Sequence, residues 1–386
     1  MIRADLRSEA FMRTHRHLLT SPVPGTTREL VSLHYGPADA GRKATIQAAL
    51  HADEPPGLLV AFHLRGLLAE LESSGRLHGE VVLVPMANPL GLSQRLLGRG
   101  LGRFELASGE NFNRLYADLS HAAFARLRAS LEGTDLPAVA EVRAALLASV
   151  EALPADSELA SLRRILLRLA IDADHVIDLH CDNEAVMHLY TTPPLWPTIE
   201  PLARLLGAEV CLLAEDSGGE PFDESCSIVW SRLNALLRQH GREGAWPHAC
   251  AAVTVELRGE ADVRHDDALA DARAIVAYLH TQGYVDGAVP ALPALKRAPR
   301  PLQGSMPILA PVGGVLVHSV PVGSEVRSGE LIAEVIDPLS SAVVRLTSPV
   351  DGLLYARESG RVVHAGLRVA KVAGVEALRS GPLLSA

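Results

Sequence analysis

His51 and Glu54 stand three residues apart in the run His51-Ala52-Asp53-Glu54, directly after the apolar segment 43–50. Imidazole nitrogen and carboxylate oxygen are both good zinc donors, and a catalytic zinc site uses three protein donors and keeps one position open for water. On a tight turn at a strand end, residues i and i+3 can face one ion. The third donor must come from another strand end, because α/β sheets place their chemistry outside the carboxyl ends of their strands. His180 meets that condition, since it closes the apolar run Asp174-His175-Val176-Ile177-Asp178-Leu179-His180. An H-x-x-E pair alone recurs by chance. The second strand-final histidine makes His51, Glu54 and His180 a candidate set of metal ligands for one zinc ion.

Water on such an ion needs a proton acceptor. Glu256 ends the apolar run Val253-Thr254-Val255-Glu256, where a carboxylate is costly unless it is paired or used. Two readings stand for it: a general base, or a structural partner of Arg258 or another arginine. A third element is Gly109-Glu110-Asn111-Phe112-Asn113-Arg114, which follows Asn88-Pro89-Leu90-Gly91 and Gly102-Arg103-Phe104. The pair Asn113 and Arg114 suits a substrate carboxylate, the guanidinium binding it bidentately and the amide adding a directional donor. An arginine beside the ion would also stabilise a tetrahedral oxyanion.

These residues need a scaffold. Apolar runs at 28–36, 43–50 and 80–86, with helical periodicity over 57–72, predict a strand–helix–strand unit and a sheet covered by helices. Three Ala/Leu/Arg-rich segments within 119–171 predict a helical insertion, with breaks near Gly133-Thr134 and Pro154 and a role in surface cover or oligomer packing. Strands are expected at 174–180, 185–191, 208–213 and 250–257. Helices are expected at 197–207, from Trp230 to Arg238, and at 266–281. The turn Gly218-Gly219-Glu220-Pro221-Phe222-Asp223-Glu224-Ser225 reads as an ordinary surface loop, with lining of a substrate pocket as the alternative. His175 and His188 read as sheet residues rather than ligands.

The chain divides at a Pro- and Ala-rich stretch. Residues 1–285 are expected to form the α/β unit, 286–303 a linker, and 304–386 a β-rich unit. That last unit contains a repeat, 310–335 against 348–372, and resembles the barrel-sandwich hybrid of biotinyl and lipoyl carriers. Those carriers present a lysine on the hairpin between the halves. Here the hairpin has none, and Lys371 lies near the end of the second half, so a carrier role is not expected.

Composition narrows the class. The chain has 386 residues, 48% of them hydrophobic and 21% charged, with a net charge of −9, which predicts a folded chain of more than one core and no nucleic-acid partner. Lysine occurs only at Lys43, Lys296 and Lys371. Cys181, Cys211, Cys226 and Cys250 form no C-x-x-C pair and are expected to be reduced thiols. The amino-terminal stretch is charged throughout and no window is apolar enough to span a bilayer, so a cytoplasmic protein without a membrane partner is expected. H-E-x-x-H, G-x-S-x-G, a Walker loop and a strand-linked G-x-G-x-x-G are all missing.

Taken in order, H-x-x-E, N-P-x-G, N-x-N-R, a strand-final His and a late strand Glu resemble the succinylglutamate desuccinylase/aspartoacylase family of zinc carboxypeptidase-like hydrolases, over about residues 40–280. The resemblance implies a mixed α/β sheet flanked by helices, with a C-terminal all-β unit. It implies zinc on His51, Glu54 and His180, Glu256 as general base, and Asn113 with Arg114 as the carboxylate-binding pair. For the oxyanion it implies Arg103, with Arg99 and Arg95 as alternatives. Two positions depart from the pattern: Asn111 replaces an aspartate and Ala52 a glycine, the latter requiring only that the backbone there avoid positive φ. The expected activity is hydrolysis of the amide of a small N-acylated amino acid or amine. A carboxypeptidase acting on peptides and a non-catalytic scaffold are the rivals. Apolar helical faces leave room for a homo-oligomer.

Overall fold

The computed structural model describes residues 12–133 and 135–384. The charged amino-terminal stretch lies outside the described residues through position 11, as does Thr134 of the expected Gly133-Thr134 break.

Among the described residues, nine strands form one mixed sheet: β1 (Arg13–Leu18), β2 (Glu29–Tyr35), β3 (Lys43–Ala48), β4 (Glu80–Val84), β5 (His175–Asp182), β6 (His188–Thr191), β7 (Val210–Leu213), β8 (Ala251–Gly259) and β9 (Arg300–Pro301). They lie in the order β1-β2-β4-β3-β5-β8-β6-β7-β9. The centre, β4-β3-β5-β8, is parallel. Its strands read as near-continuous apolar runs because both faces are covered by helices.

On one face pack α2 (Ser120–Leu127), α3 (Val139–Glu151), α4 (Glu158–Ala170) and α6 (Phe222–Gln239). Val142, Leu146, Leu162, Leu166, Trp230 and Leu233 share a core there. The helical insertion is thus one wall of the main core, not an outer attachment. Its last helix starts at Ser157, whose hydroxyl accepts the Ala160 N–H at 3.1 Å. On the other face pack α1 (Pro56–Ser73), α5 (Trp196–Leu206) and α7 (His265–Thr281), through Val60, Leu64, Leu202 and Ile275.

Several expectations are corrected. Strand β1 was not expected: Arg13-Thr14-His15-Arg16-His17 is charged because it is an exposed edge, paired only with β2. The helix expected from Trp230 begins at Phe222. The strand expected over 185–191 is broken, and Glu184–Ala185 pairs instead with Gly352–Arg357 of the carboxy-terminal unit. The stretch 286–303 is no free tether: Lys296 and Arg297 bind Glu209, and Arg300–Pro301 adds a parallel edge strand beside β7.

The carboxy-terminal residues form two small antiparallel sheets. One runs Ser305–Leu309, Arg368–Ala373, Gly352–Arg357 and Glu325–Val326, and the other Val343–Thr347, Leu331–Ile336, Gly314–His318 and Val362–Val363. Each sheet mixes strands from both sequence repeats, around Leu316, Ile332, Leu354 and Val369. The four cysteines are free and buried, and no helix is long and apolar enough to cross a membrane, among the described residues.

Candidate active site

The carboxyl ends of β3, β5 and β8 meet at the cleft. After β3 the chain turns through Ala49, at φ 59°, and brings His51 and Glu54 under the sheet edge. Asn88 fixes that turn: its amide donates to Leu50 O at 2.9 Å while its Oδ1 accepts the Gly91 N–H at 2.7 Å. A Cβ on Gly91 would fall 2.6 Å from Asn88 Nδ2 and 2.9 Å from Ala52 Cβ, so N-P-x-G is a packing device. Gly102 crosses directly over the Ala52–Asp53 backbone, its carbonyl accepting the Ala52 N–H at 2.9 Å; a Cβ there would overlap Asp53 N. Ala52 does not adopt positive φ.

His51, Glu54 and His180 converge, one ligand atom from each lying within 4.8 Å of the others, and all three are buried. Glu54 bridges the imidazoles, with His51 Nδ1 at 2.9 Å from Oε1 and His180 Nδ1 at 2.8 Å from Oε2. Both outer nitrogens are held from behind. His51 Nε2 meets Asn111 Oδ1 at 2.8 Å, and His180 Nε2 lies 3.0 Å from Asp178 Oδ2. Asp178 is itself held by Gln47 Nε2 at 3.0 Å. Metal-binding histidines are usually oriented by a partner at the second ring nitrogen; here Asn111 Oδ1 stands at His51 Nε2, and Asp178 Oδ2 and Asn113 Nδ2, the latter at 3.3 Å, stand at His180 Nε2, while each Nδ1 faces Glu54. The two-imidazole, one-carboxylate donor set fits a divalent transition ion such as zinc.

The electrostatics agree. Burial, the largest influence on Glu54, opposes its charge, yet His51 and His180 hold its carboxyl well below the usual range. Burial lowers His51. It also acts against a charged His180, but Asp178 and Glu54 raise that imidazole well above its ordinary value.

Glu256 is paired in register with His180 across β5 and β8 and faces the same cleft. Among the described residues its Oε2 is buried without a hydrogen-bond partner, and Arg258 pairs with Asp271 instead. Burial, then the negative charge of Glu54, pushes its carboxyl up to about 8. Arg103 Nη1 donates to Glu54 Oε1 at 3.2 Å and stands 3.3 Å from His51 Nδ1, over the ligand atoms. Arg95 and Arg99 lie in an exposed two-stranded turn that does not line the cleft.

Asn113 and Arg114 line the cleft as well. Asn113 Oδ1 accepts the Phe222 N–H at 2.8 Å, and Arg114 Nη1 donates to Asn113 O at 2.6 Å. Asn111 Oδ1 accepts the Asn113 N–H at 2.8 Å, so the loop keeps its support despite the departure at 111. The 218–225 turn is corrected from surface loop to cleft wall. Gly219, at φ 80°, leaves room for Arg114, whose Cδ would be 2.8 Å from a Cβ there, and Pro221, Asp223 and Glu224 line the cleft. Burial drives Asp223 up to about 6 and Glu224 up to about 8.

Sequence reasoning missed Gln47 and Asp178, which stand behind His180, and the tail residues Arg368 and Lys371, which line the cleft. Asp178 had a usable signal, lying two residues before His180 on the same strand face.

A sequence model of the succinylglutamate desuccinylase/aspartoacylase catalytic domain matches residues 40–281. Solved structures agree along nearly the whole chain. A succinylglutamate desuccinylase/aspartoacylase family protein from Shewanella amazonensis SB2B is 27% identical, with TM-score 0.80, over 94% of this chain and 98% of that one. Another from Shewanella frigidimarina NCIMB 400, 24% identical over 94% and 97%, also has TM-score 0.80. The ectoine utilization protein EutE (DoeB) from Ruegeria pomeroyi, 15% identical over 94% and 95%, shares the fold at TM-score 0.63. No curated protein matches the chain by sequence.

Proposed function

The chain belongs to the succinylglutamate desuccinylase/aspartoacylase family, and from that membership and the geometry of its cleft we propose that it is a zinc-dependent deacylase. Its substrate is an N-acyl amino acid or a related small acylated amine, cut at the amide bond. The observation that carries the reading is the convergence of His51, Glu54 and His180, each imidazole met by a polar partner at its outer nitrogen, beside a Glu256 oxygen without a hydrogen-bond partner among the described residues.

His51 Nδ1, His180 Nδ1 and the Glu54 carboxylate would hold the zinc. When bound, zinc supplies a Lewis acid for the acyl carbonyl and lowers the pKa of a water toward about 7. Glu256 is the general base: its free Oε2 takes the proton of the attacking water and later returns it to the departing amine. With a cation held by these ligands, Glu256 would be relieved of the repulsion from Glu54 and would favour the ionised form that a base needs. Arg103 faces the oxyanion that develops on the carbonyl. Asn113 and Arg114 anchor a substrate carboxylate: Phe222 N–H fixes the Asn113 oxygen, and the amide nitrogen, 3.3 Å from His180 Nε2, has a second N–H to offer the substrate.

A small substrate is favoured over a long peptide because Leu302 of the connecting stretch and tail residues Arg368, Lys371 and Leu384 border the cleft. The test is a hydrolysis screen over N-acetyl, N-succinyl and N-formyl amino acids beside short peptides, with and without added zinc. Zinc-dependent release of one acyl class is expected. A protein that neither binds zinc nor gains thermal stability from it would favour the scaffold reading.

A further inference from the structure

The two sequence repeats of the carboxy-terminal unit place equivalent residues on its two outer faces. With 310–335 laid on 348–372, Val315, Leu316 and Val317 stand where Leu353, Leu354 and Tyr355 stand in the second half. Leu316 and Leu354 meet in the core between the two sheets. Leu353 and Tyr355 are buried on the outer side of their sheet, because that face is packed on Tyr190, Val210 and Leu212 of the catalytic unit. Their equivalents Val315 and Val317 are exposed.

Strand pairing extends this exposed face over the whole second sheet. Val362, Val315, Ile336 and Val343 are paired in turn across its four strands, and residues so paired share a face. They form an apolar row in which Val362 is 82% exposed. Leu339, 97% exposed, stands in the turn that joins Leu331–Ile336 to Val343–Thr347. Two residues along the strands, on the same face, Val317, Glu334 and Arg345 are paired in turn. Neither Glu334 nor Arg345 is in an ion pair among the described residues. Valines scattered singly over a surface need no account, but a continuous apolar row beside two matched charges has the make-up of an interface.

The pattern complements itself. A two-fold axis parallel to the strands, running between Leu331–Ile336 and Val343–Thr347, exchanges those two strands. It lays Ile336 on the partner's Val343 and Glu334 on the partner's Arg345, and each contact occurs twice. Copies of a chain with net charge −9 repel one another in general, whereas these rows carry one charge of each sign.

We propose that this outer sheet face is a two-fold interface between two copies of the chain. Four strands about 4.8 Å apart, each of about five residues at about 3.4 Å, offer at most roughly 300 Å² per copy, well under the ~800 Å² of a standard stable interface, so the dimer is a reversible one.

Sedimentation velocity of the full chain over about 1 to 100 μM tests this. The wild type should pass from monomer to dimer as concentration rises. V343E should stay monomeric across the range with an unchanged melting temperature. Should it fail to fold, L339D serves in its place, at a turn position that packs on nothing. E334R and R345E should each weaken the dimer about tenfold or more, because each sets like charges against one another across the two-fold. Mixed in equal amounts, these two variants should dimerise again, since every charge then faces its opposite; a change confined to one chain cannot produce that rescue. A wild type that stays monomeric throughout, a dimer that V343E or L339D leaves intact, or charge variants that associate like the wild type or are not rescued by mixing overturns the proposal.

Discussion

His180 and Glu256 are direct neighbours across two parallel strands, paired in register at the carboxyl ends of β5 and β8. One rung earlier on the same face, Asp178 is paired with Gln47 on β3 and with Thr254 on β8. A period of two therefore stacks the candidate base beside a candidate ligand, and the carboxylate that orients the ligand directly beneath it. Three strands supply all of this without a loop, which keeps the spacing rigid.

Replacing Glu256 by Gln removes the proton acceptor at nearly constant shape. We expect zinc content by elemental analysis to stay at the wild-type level while kcat falls by about 10² to 10⁴. An unchanged kcat would remove Glu256 from the chemistry.

Asp178→Asn tests the support behind His180. Asn can still accept at one atom, but it loses the charge that raises the imidazole. Zinc affinity, measured by competition with a chelator, should drop by about 10 to 100-fold. Asn111→Ala, which removes the acceptor at His51 Nε2, should fall in the same range.

Much of this arrangement could be read before any coordinates. The central strands are legible because they are buried on both faces and therefore apolar, and His51, Glu54 and His180 stand out because they interrupt or end such runs. Edge strand β1 escapes the same reasoning: it buries almost nothing, so its residues carry no apolar signature. The 218–225 turn looks like surface because its residues are small and polar, yet its polarity lines a cleft and its glycine clears Arg114. Arg368 is the least legible. Its place depends on a one-residue bulge and on the docking of a distant unit through Lys371 and Asp182, neither of which leaves a local pattern.

Gly102→Ala should separate the loop that carries Arg103 from the metal ligands. The added methyl meets the Ala52–Asp53 backbone, which cannot swing aside as a side-chain tip can. We expect a loss of at least about 2 kcal/mol in denaturant unfolding, with activity reduced beyond what zinc loss explains. Restored zinc content with low activity would place the defect at Arg103.

His175 gives a test of stability that does not involve the cleft. It lies at the amino end of β5, its Nδ1 2.9 Å from the Tyr284 hydroxyl and its ring packed against Tyr278 and Tyr284. Burial, outweighing the attraction of Asp174, lowers its pKa from 6.5 to about 4. Between those values the unfolded chain binds more protons at this site than the folded one, so stability rises with pH across the window. The penalty is absent above about pH 7, grows as pH falls through 6.5, and levels off below about 4. At pH 5 it amounts to roughly 2 kcal/mol. Buried Glu224 and Glu256, raised to about 8, and Asp223, raised to about 6, act in the opposite sense, losing stability as pH rises toward those values. The whole-protein profile therefore mixes these contributions, and the difference between wild type and His175→Gln isolates the histidine. That difference should shrink by roughly 2 kcal/mol from pH 7.5 to pH 5, to the cost of wild-type stability, when urea unfolding is followed at both pH values. A difference that does not change with pH would show that His175 titrates normally in the folded protein.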